Sequence, residues 1–420
     1  MCLSLHELEP AACKISPERH MKEKQPKNQR TRRPGLQPAA PRLAAPRFPA
    51  EHEAMADPEP VPAPDAASPT ATRLLGRLGY AATQGARVAW YTAHYALLRA
   101  MTRGGARQGD SPPPRPSAPP PDRTKVRAAF RALFNADRAN IEAGLYPAPR
   151  DLDPTRLLAT LRRSRAFFAD ARVVEERRRR RGGTEARALG SGRYPSYYLQ
   201  NFHYQTDGWL SRRSARLYDT QVEVLFTGAA DAMRRAALAE LARALQGRDQ
   251  RRVRLLDVAC GAGRFLEQIM DAFPRLDATG VDLSPAYIEE AAERLASWPT
   301  ARVLEANAES LPFENGSFDV VASIYLFHEL PPRVRTLVAA EMARVVKPGG
   351  MVVFADSIQT GDDANLDRML ETFPHWFHEP YYASYLAEDL DALWTAAGLT
   401  KEREGLAFLT KVRTYRKPAA

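Results

Sequence analysis

From Val253 to Asp356, short apolar runs alternate with segments of helical period, and no other feature constrains the fold as much. Strands read at Val253–Ala259, Ala278–Asp282, Arg302–Ala306, Phe318–Tyr325 and Met351–Asp356. Helices fall between them at Arg264–Phe273, Pro285–Ala296 and Pro332–Val346. Repeated strand–helix–strand units give a parallel sheet with helices on its faces. "KPGG", Lys347–Gly350, reads as a turn, because Pro sets φ and Gly supplies positive φ. Helical stretches follow from Leu366 and over Ala387–Ala397. Two further strands, in "GLTKEREGLAFLTKVRTYRKP", read as a hairpin through "GLA". That adds one antiparallel strand and makes seven in all.

The chain ahead of this pattern differs in kind. Residues 1–71 read as a disordered tail, rich in Pro, Lys and Arg and without periodicity. Residues 1–54 are either sequence upstream of a true start at Met55 or an ordinary disordered or targeting tail. Residues 72–104 are helical in tendency and lack acids. Their arginines, Arg73, Arg77, Arg87, Arg99 and Arg103, fall within about half of a helical wheel. This segment is either a membrane-surface or partner helix, or a helix packed on its own domain. A Pro-rich linker follows at 105–122. A helical region spans 123–245 and carries an aromatic segment at 194–211, "YPSYYLQNFHYQTDGWLS". The sheet domain occupies 246–420.

A net charge of +10 invites a nucleic-acid reading, but its distribution opposes one. Residues 252–357 hold 15 acidic and 10 basic residues, so the most fold-like part is acidic. The positive charge lies upstream, much of it in "RVVEERRRRRGG", which reads as a solvated run. No nucleic-acid partner is expected. Three cysteines, Cys2, Cys13 and Cys260, make neither a disulfide framework nor a metal spacing. No apolar run is long enough to span a bilayer, and a cytoplasmic protein is expected, peripheral at a membrane if 72–104 binds one.

"LLDVACGAGRFLEQ" ends the first strand and opens the first helix. Gly261 and Gly263 allow close backbone approach to a ligand, and the helix N-terminus favours a carboxylate or phosphate. Asp282, ending the second strand, can accept two ribose hydroxyls. The dinucleotide fingerprint wants a third Gly where this chain has Leu266. Asp257 inside the strand end suits a ligand bearing an amine. Asn307, Ala308 and Glu309 follow the third strand, where a purine on that ribose would reach.

With these residues in view, the sequence resembles the class I S-adenosylmethionine-dependent methyltransferases, nearest the menaquinone and ubiquinone C-methyltransferase branch. "LLDVACGAG", "GVDLS", "ANAESLPFENGSFDVV", "LPPRVRTLVAAEMARVVKPGGMVVFAD" and the terminal strand pair carry the resemblance, from Arg251 to the C-terminus. It implies an α/β fold with a Rossmann-like, doubly wound sheet. It also implies S-adenosyl-L-methionine as cofactor. Asp257, Gly261 and Gly263 would hold its methionine part, Asp282 its ribose, and Leu283, Asn307, Ala308 and Glu309 its adenine. Ala259 stands where the family often has its first Gly and would narrow the loop slightly.

Groups that act on an acceptor belong at the carboxyl ends of the strands. "IYLFHELPP" puts Tyr325, His328 and Glu329 there, with His328 as first choice for a base or acceptor-orienting group. The competing reading is that His328 and Glu329 only begin the next helix. Asp356 is a lesser candidate, and Cys260 reads as a small packed residue. Family lids lie in an N-terminal extension and after the fifth strand, and both places here are aromatic. Tyr198, Phe202, His203, Tyr204 and Trp209, with His378, Tyr381 and Tyr382, would wall an acceptor pocket or merely pack on one another. His375 and His378 have the spacing of a metal pair but no third ligand, so no metal is expected.

The acceptor expected is a small lipophilic or aromatic molecule, methylated at C or O. The alternatives are an RNA or protein methyltransferase and a non-catalytic scaffold that binds the cofactor. "YLFHELPP" does not match the Asn/Asp-Pro-Pro-aromatic motif of base-modifying enzymes.

Overall fold

The structure, a computed structural model, describes residues 70–102, 116–149, 157–180, 182–183, 185–190 and 192–419. Residues 1–69 of the expected tail and 105–115 of the Pro-rich linker lie outside the described residues, and the last two tail positions, 70 and 71, are helical.

A seven-stranded sheet runs in the order β3-β2-β1-β4-β5-β7-β6. Its strands are β1 (Arg254–Val258), β2 (Asp277–Asp282), β3 (Ala301–Glu305), β4 (Phe318–Ile324), β5 (Val346–Ser357), β6 (Thr400–Ala407) and β7 (Thr410–Arg416). The five strands from β1 to β5 pair in parallel, and β7 runs antiparallel to both β5 and β6. The chain order reverses between β1 and β4, which opens a crevice at their carboxyl ends.

Successive strand residues feed two cores. Leu255, Val320, Ala322 and Val353 face one, and Leu256, Val258, Val321, Val352 and Phe354 face the other. Both are covered, as a sheet with apolar residues on each face requires. The helices are α1 (Thr70–Thr102), α2 (Arg123–Glu142), α3 (Leu157–Arg180), α4 (Arg187–Gly190), α5 (Arg212–Leu225), α6 (Ala230–Leu245), α7 (Arg264–Ala272), α8 (Pro285–Leu295), α9 (Pro332–Val345), α10 (Asp367–Trp376), α11 (Tyr382–Leu386) and α12 (Leu390–Ala396). α6 and α7 cover the first face, and α9 and α12 the second. Side chains cap several of them: Asp122 accepts from the Thr124 and Lys125 N–H groups, and Ser284 from that of Tyr287.

Two local readings of the sequence are corrected. "KPGG" lies inside β5: pairing leaves at Phe318–Val346 and resumes at Val320–Met351, and the surplus residues bulge outward through Gly349 at φ 73°. The terminal hairpin turns at Phe408–Leu409, with "GLA" still in β6. Phe408 takes φ 59° and sets its ring edge-on to Phe130 of α2, 5.5 Å away, so tertiary packing fixes the turn.

The helical region is built onto the sheet. Leu238, Leu241 and Leu245 of α6 share a core with β1 and β5, so packing does not divide the chain at residue 246. On α2, Asp137 takes both arms of Arg235 at 2.8 and 2.7 Å and the hydroxyls of Tyr80 and Tyr146 at 2.5 and 2.9 Å. α1 buries Tyr80, Gln84, Arg87 and His94. Arg87 ion-pairs with Glu223 of α5 and Asp231 of α6 at 2.6 and 2.7 Å, and Arg77 with Glu142. One face of α1 thus packs on its own domain, while Leu78, Trp90, Leu97 and Met101 stay exposed. No described helix is long and apolar enough to cross a membrane.

Candidate active site

At the crevice, β1 ends in a loop that turns three times through the left-handed region, at Ala259 (φ 60°), Gly261 (φ 56°) and Gly263 (φ 78°). Glycine takes this conformation freely, while Ala259 holds it at a steric cost. A Cβ on Gly263 would stand 3.1 Å from that of Ala291, so this glycine lets α7 start against α8. The Gly261 N–H donates to Asp282 Oδ2 and the Ser284 N–H to Asp282 Oδ1, both at 2.9 Å. Burial raises Asp282 to about 6, against the pull of those backbone donors. Asp257 is 1% exposed and its Oδ2 has no hydrogen-bond partner. Burial, and then the charge of Asp282, pushes its carboxyl well above the usual range. A buried polar atom without a partner marks a place for a ligand donor.

Asp257, Ala259, Gly261, Asp282, Leu283, Asn307 and Ala308 line one cavity with Tyr325 and Glu329. Gly263 sits behind it as the cap of α7. Glu309 turns to the aromatic segment, where it accepts from the Tyr197 hydroxyl at 2.6 Å. Cys260 is buried and its thiol is pushed up by burial, which leaves it a packed neutral group beneath Gly280.

On the other side, Tyr325 follows β4 at φ 60°, with its hydroxyl 2.6 Å from Thr410 Oγ1. The turn Phe327–Glu329 is fixed by Asp356, which accepts the Phe327 N–H at 2.7 Å and holds His328 Nδ1 at 2.6 Å. Burial alone would lower His328, but the Asp356 carboxylate outweighs it and lifts the imidazole to about 9. Glu329 is raised to about 8, by burial first. His328 and Glu329 thus form a turn of their own, ahead of α9, which starts at Pro332.

Of the eight aromatic and histidine positions read as acceptor walls, Tyr198 and Trp209 line the cavity. Phe202 stacks behind Trp209, and Tyr381 packs on the same cluster. Tyr204 and His378 face each other 5.7 Å apart, away from the cavity, and His378 bonds the Gln200 amide. Tyr382 bonds Ser357 and presents its ring edge to His328. His203 Nε2 lies 3.0 Å from Glu379 Oε1, and Glu329 completes a cluster whose ligand atoms lie within 4.8 Å of one another. The side chain of His375 lies outside the described residues.

Sequence reasoning missed Tyr218, Arg234 and Tyr287, which also line the cavity, and Glu379. The first three are single members of helical patterns, with nothing local to distinguish them. Glu379 stood beside His378 in the aromatic stretch, and an acid among rings was the available signal.

Residues 255–350 match the family described as "Methyltransferase domain". The chain is 40% identical over 103 residues to the phthiotriol/phenolphthiotriol dimycocerosates methyltransferase of Mycobacterium leprae, covering 24% of this chain and 37% of that protein. It is 37% identical over 105 residues to the demethylmenaquinone methyltransferase of Staphylococcus aureus, covering 25% and 43%. The chain thus spans less than half the length of these relatives. A solved S-adenosylmethionine-dependent methyltransferase from Aquifex aeolicus aligns with a TM-score of 0.32 and 18% identity, over 39% of this chain and 82% of that one. The orphaned Asp257 atom, the glycine loop and the Asp282 carboxylate fit S-adenosylmethionine, which carries an amine, a carboxylate and a ribose diol. Residues 255–350 thus match a methyltransferase domain, and the chain is similar in part to two methyltransferases.

Proposed function

We propose that this protein transfers a methyl group from S-adenosylmethionine to a carbon or oxygen of a small acceptor with an apolar or aromatic body. The observation that carries the reading is the fully buried, partnerless Asp257 oxygen at the rim of a cavity shared with Asp282. Asp257 would take the cofactor's amine, and the Gly261–Gly263 loop its carboxylate. Asp282 already accepts two N–H groups and keeps further lone pairs for the ribose. Leu283, Asn307 and Ala308 would border the adenine.

Bound there, the cofactor supplies an electrophilic methyl group. What remains for the chain is to align the acceptor and keep water out. Tyr198, Trp209, Tyr218 and Tyr287 give the cavity an aromatic wall. Glu329 would be one polar group on the acceptor side, on a turn that Asp356 pins through the Phe327 N–H and His328. The names of the two relatives, a dimycocerosate lipid enzyme and a demethylmenaquinone enzyme, favour a lipophilic acceptor.

The test is calorimetric titration of S-adenosylmethionine and S-adenosylhomocysteine into the full chain and into Asp282→Ala. Losing a charge-assisted hydrogen-bond acceptor should weaken binding about 10- to 150-fold, from about 1.5–3 kcal/mol. Wild-type protein that is folded and binds neither compound would overturn the reading. Binding licenses a screen of lipophilic acceptors with labelled methyl groups.

A further inference from the structure

Beside the cavity, His203, Glu329 and Glu379 converge from three segments far apart in the chain. Glu379 is 4% exposed, and neither of its carboxylate oxygens has a hydrogen-bond partner. His203 Nε2 lies 3.0 Å from Glu379 Oε1, yet no hydrogen bond joins them. The ring nitrogen and the two carboxylates lie close enough together to share one ion. Among the described residues, Glu329 and Glu379 stand in ion-pair range of histidines and of no Lys or Arg. The nearby cationic group, His328, holds Asp356 through Nδ1 and stands 3.9 Å from Glu329 Oε1 through Nε2, while the near neighbour of Glu379 Oε1 is His203.

Two adjacent buried carboxylates cannot both stay ionised unless a proton or a cation lies between them. The surroundings sharpen that demand, since the rings of Phe373 and Phe377 stand 6.1 and 5.7 Å from His203. The backbone holds it there under strain. His203 and Tyr204 are consecutive non-glycine residues at φ 53° and 56°, and the His203 N–H donates to the His378 carbonyl, next to Glu379. Such strain persists where surrounding structure enforces it, commonly at ligand sites.

We propose that His203, Glu329 and Glu379 hold one divalent transition-metal cation of the Mn²⁺ or Zn²⁺ class. One imidazole and two carboxylates suit such ions, and three protein ligands with an open position are the pattern of catalytic rather than structural centres. Glu329 also lines the cofactor cavity, so the open side faces the acceptor. There the ion would orient and polarise an acceptor oxygen. That role rests on the proposed methyl transfer, whereas the presence of the ion does not.

The experiment uses the full chain, stripped with a chelator and without cofactor. Mn²⁺ is titrated in and read by the loss of its free-ion paramagnetic resonance signal, and Zn²⁺ is read by elemental analysis after dialysis. Wild-type protein should take up one equivalent, and Glu379→Gln and His203→Gln should bind at least tenfold more weakly. Melting curves guard against misfolding. Metal-free Glu379→Gln should melt close to metal-free wild type, because the amide keeps the shape of the protonated carboxyl. The wild type alone should gain stability from the ion. Wild type that takes up neither ion, or wild type and both variants that bind alike, overturns the proposal. Protein that binds one ion but no S-adenosylmethionine would keep it while defeating the proposed methyl transfer.

Discussion

Asp282 has two tasks, ordering the loop through the Gly261 N–H and facing the place where a ribose would bind. Both require a carboxylate, and burial raises it to about 6. Its unfolded value is near 4, so the empty fold loses stability as pH rises through 6, and a ligand that pairs with the carboxylate returns it. Cofactor affinity should fall about tenfold per unit below pH 6, as one proton on Asp282 competes with the ligand. Titration calorimetry from pH 5 to 8 checks this, and a flat profile would place the ribose elsewhere. At this scale the sequence was informative where chemistry is local. Asp257, the glycines and Asp282 stand at strand ends that the apolar runs mark out. For Glu379 it offered only an acid among aromatic residues, because nothing local signals a partner as distant in the chain as His203.

At the scale of elements, α1 shows why periodicity gives a helix but not what covers it. An arginine-rich, acid-free helix suggests a lipid surface. The acids that pair with it, Glu142, Glu223 and Asp231, lie on α2, α5 and α6. Arg87 is 8% exposed and bridges two of them, with Arg234 and Arg264 also on Asp231. Removing one member of a buried ionic cluster leaves charge uncompensated. We expect Arg87→Ala to cost about 3–5 kcal/mol in urea unfolding. A loss below about 1 kcal/mol would mean that Arg234 and Arg264 suffice. The sheet was legible strand by strand because its period is short and its faces are both apolar. The bulge in β5 and the turn at Phe408 were not, since each depends on a contact from another part of the chain.

Over the whole molecule, the aromatic segment lines the cavity through Tyr197, Tyr198 and Trp209 and is fastened to the helix that follows Asp282. The Ser284 hydroxyl donates to the Trp209 carbonyl at 2.5 Å, and the Gln205 amide donates to the Tyr287 hydroxyl at 2.9 Å. A strap held at two points governs timing as well as shape. On the proposed chemistry, spent cofactor leaves only when the strap lifts, and egress rather than bond-making sets the pace. Rapid-quench measurements with saturating acceptor should then show a burst of methylated product equal to the enzyme present, followed by a slower linear phase. Ser284→Ala, which removes one fastening, should quicken that second phase. A trace that is linear from the first turnover would mean that the door opens faster than the methyl group moves.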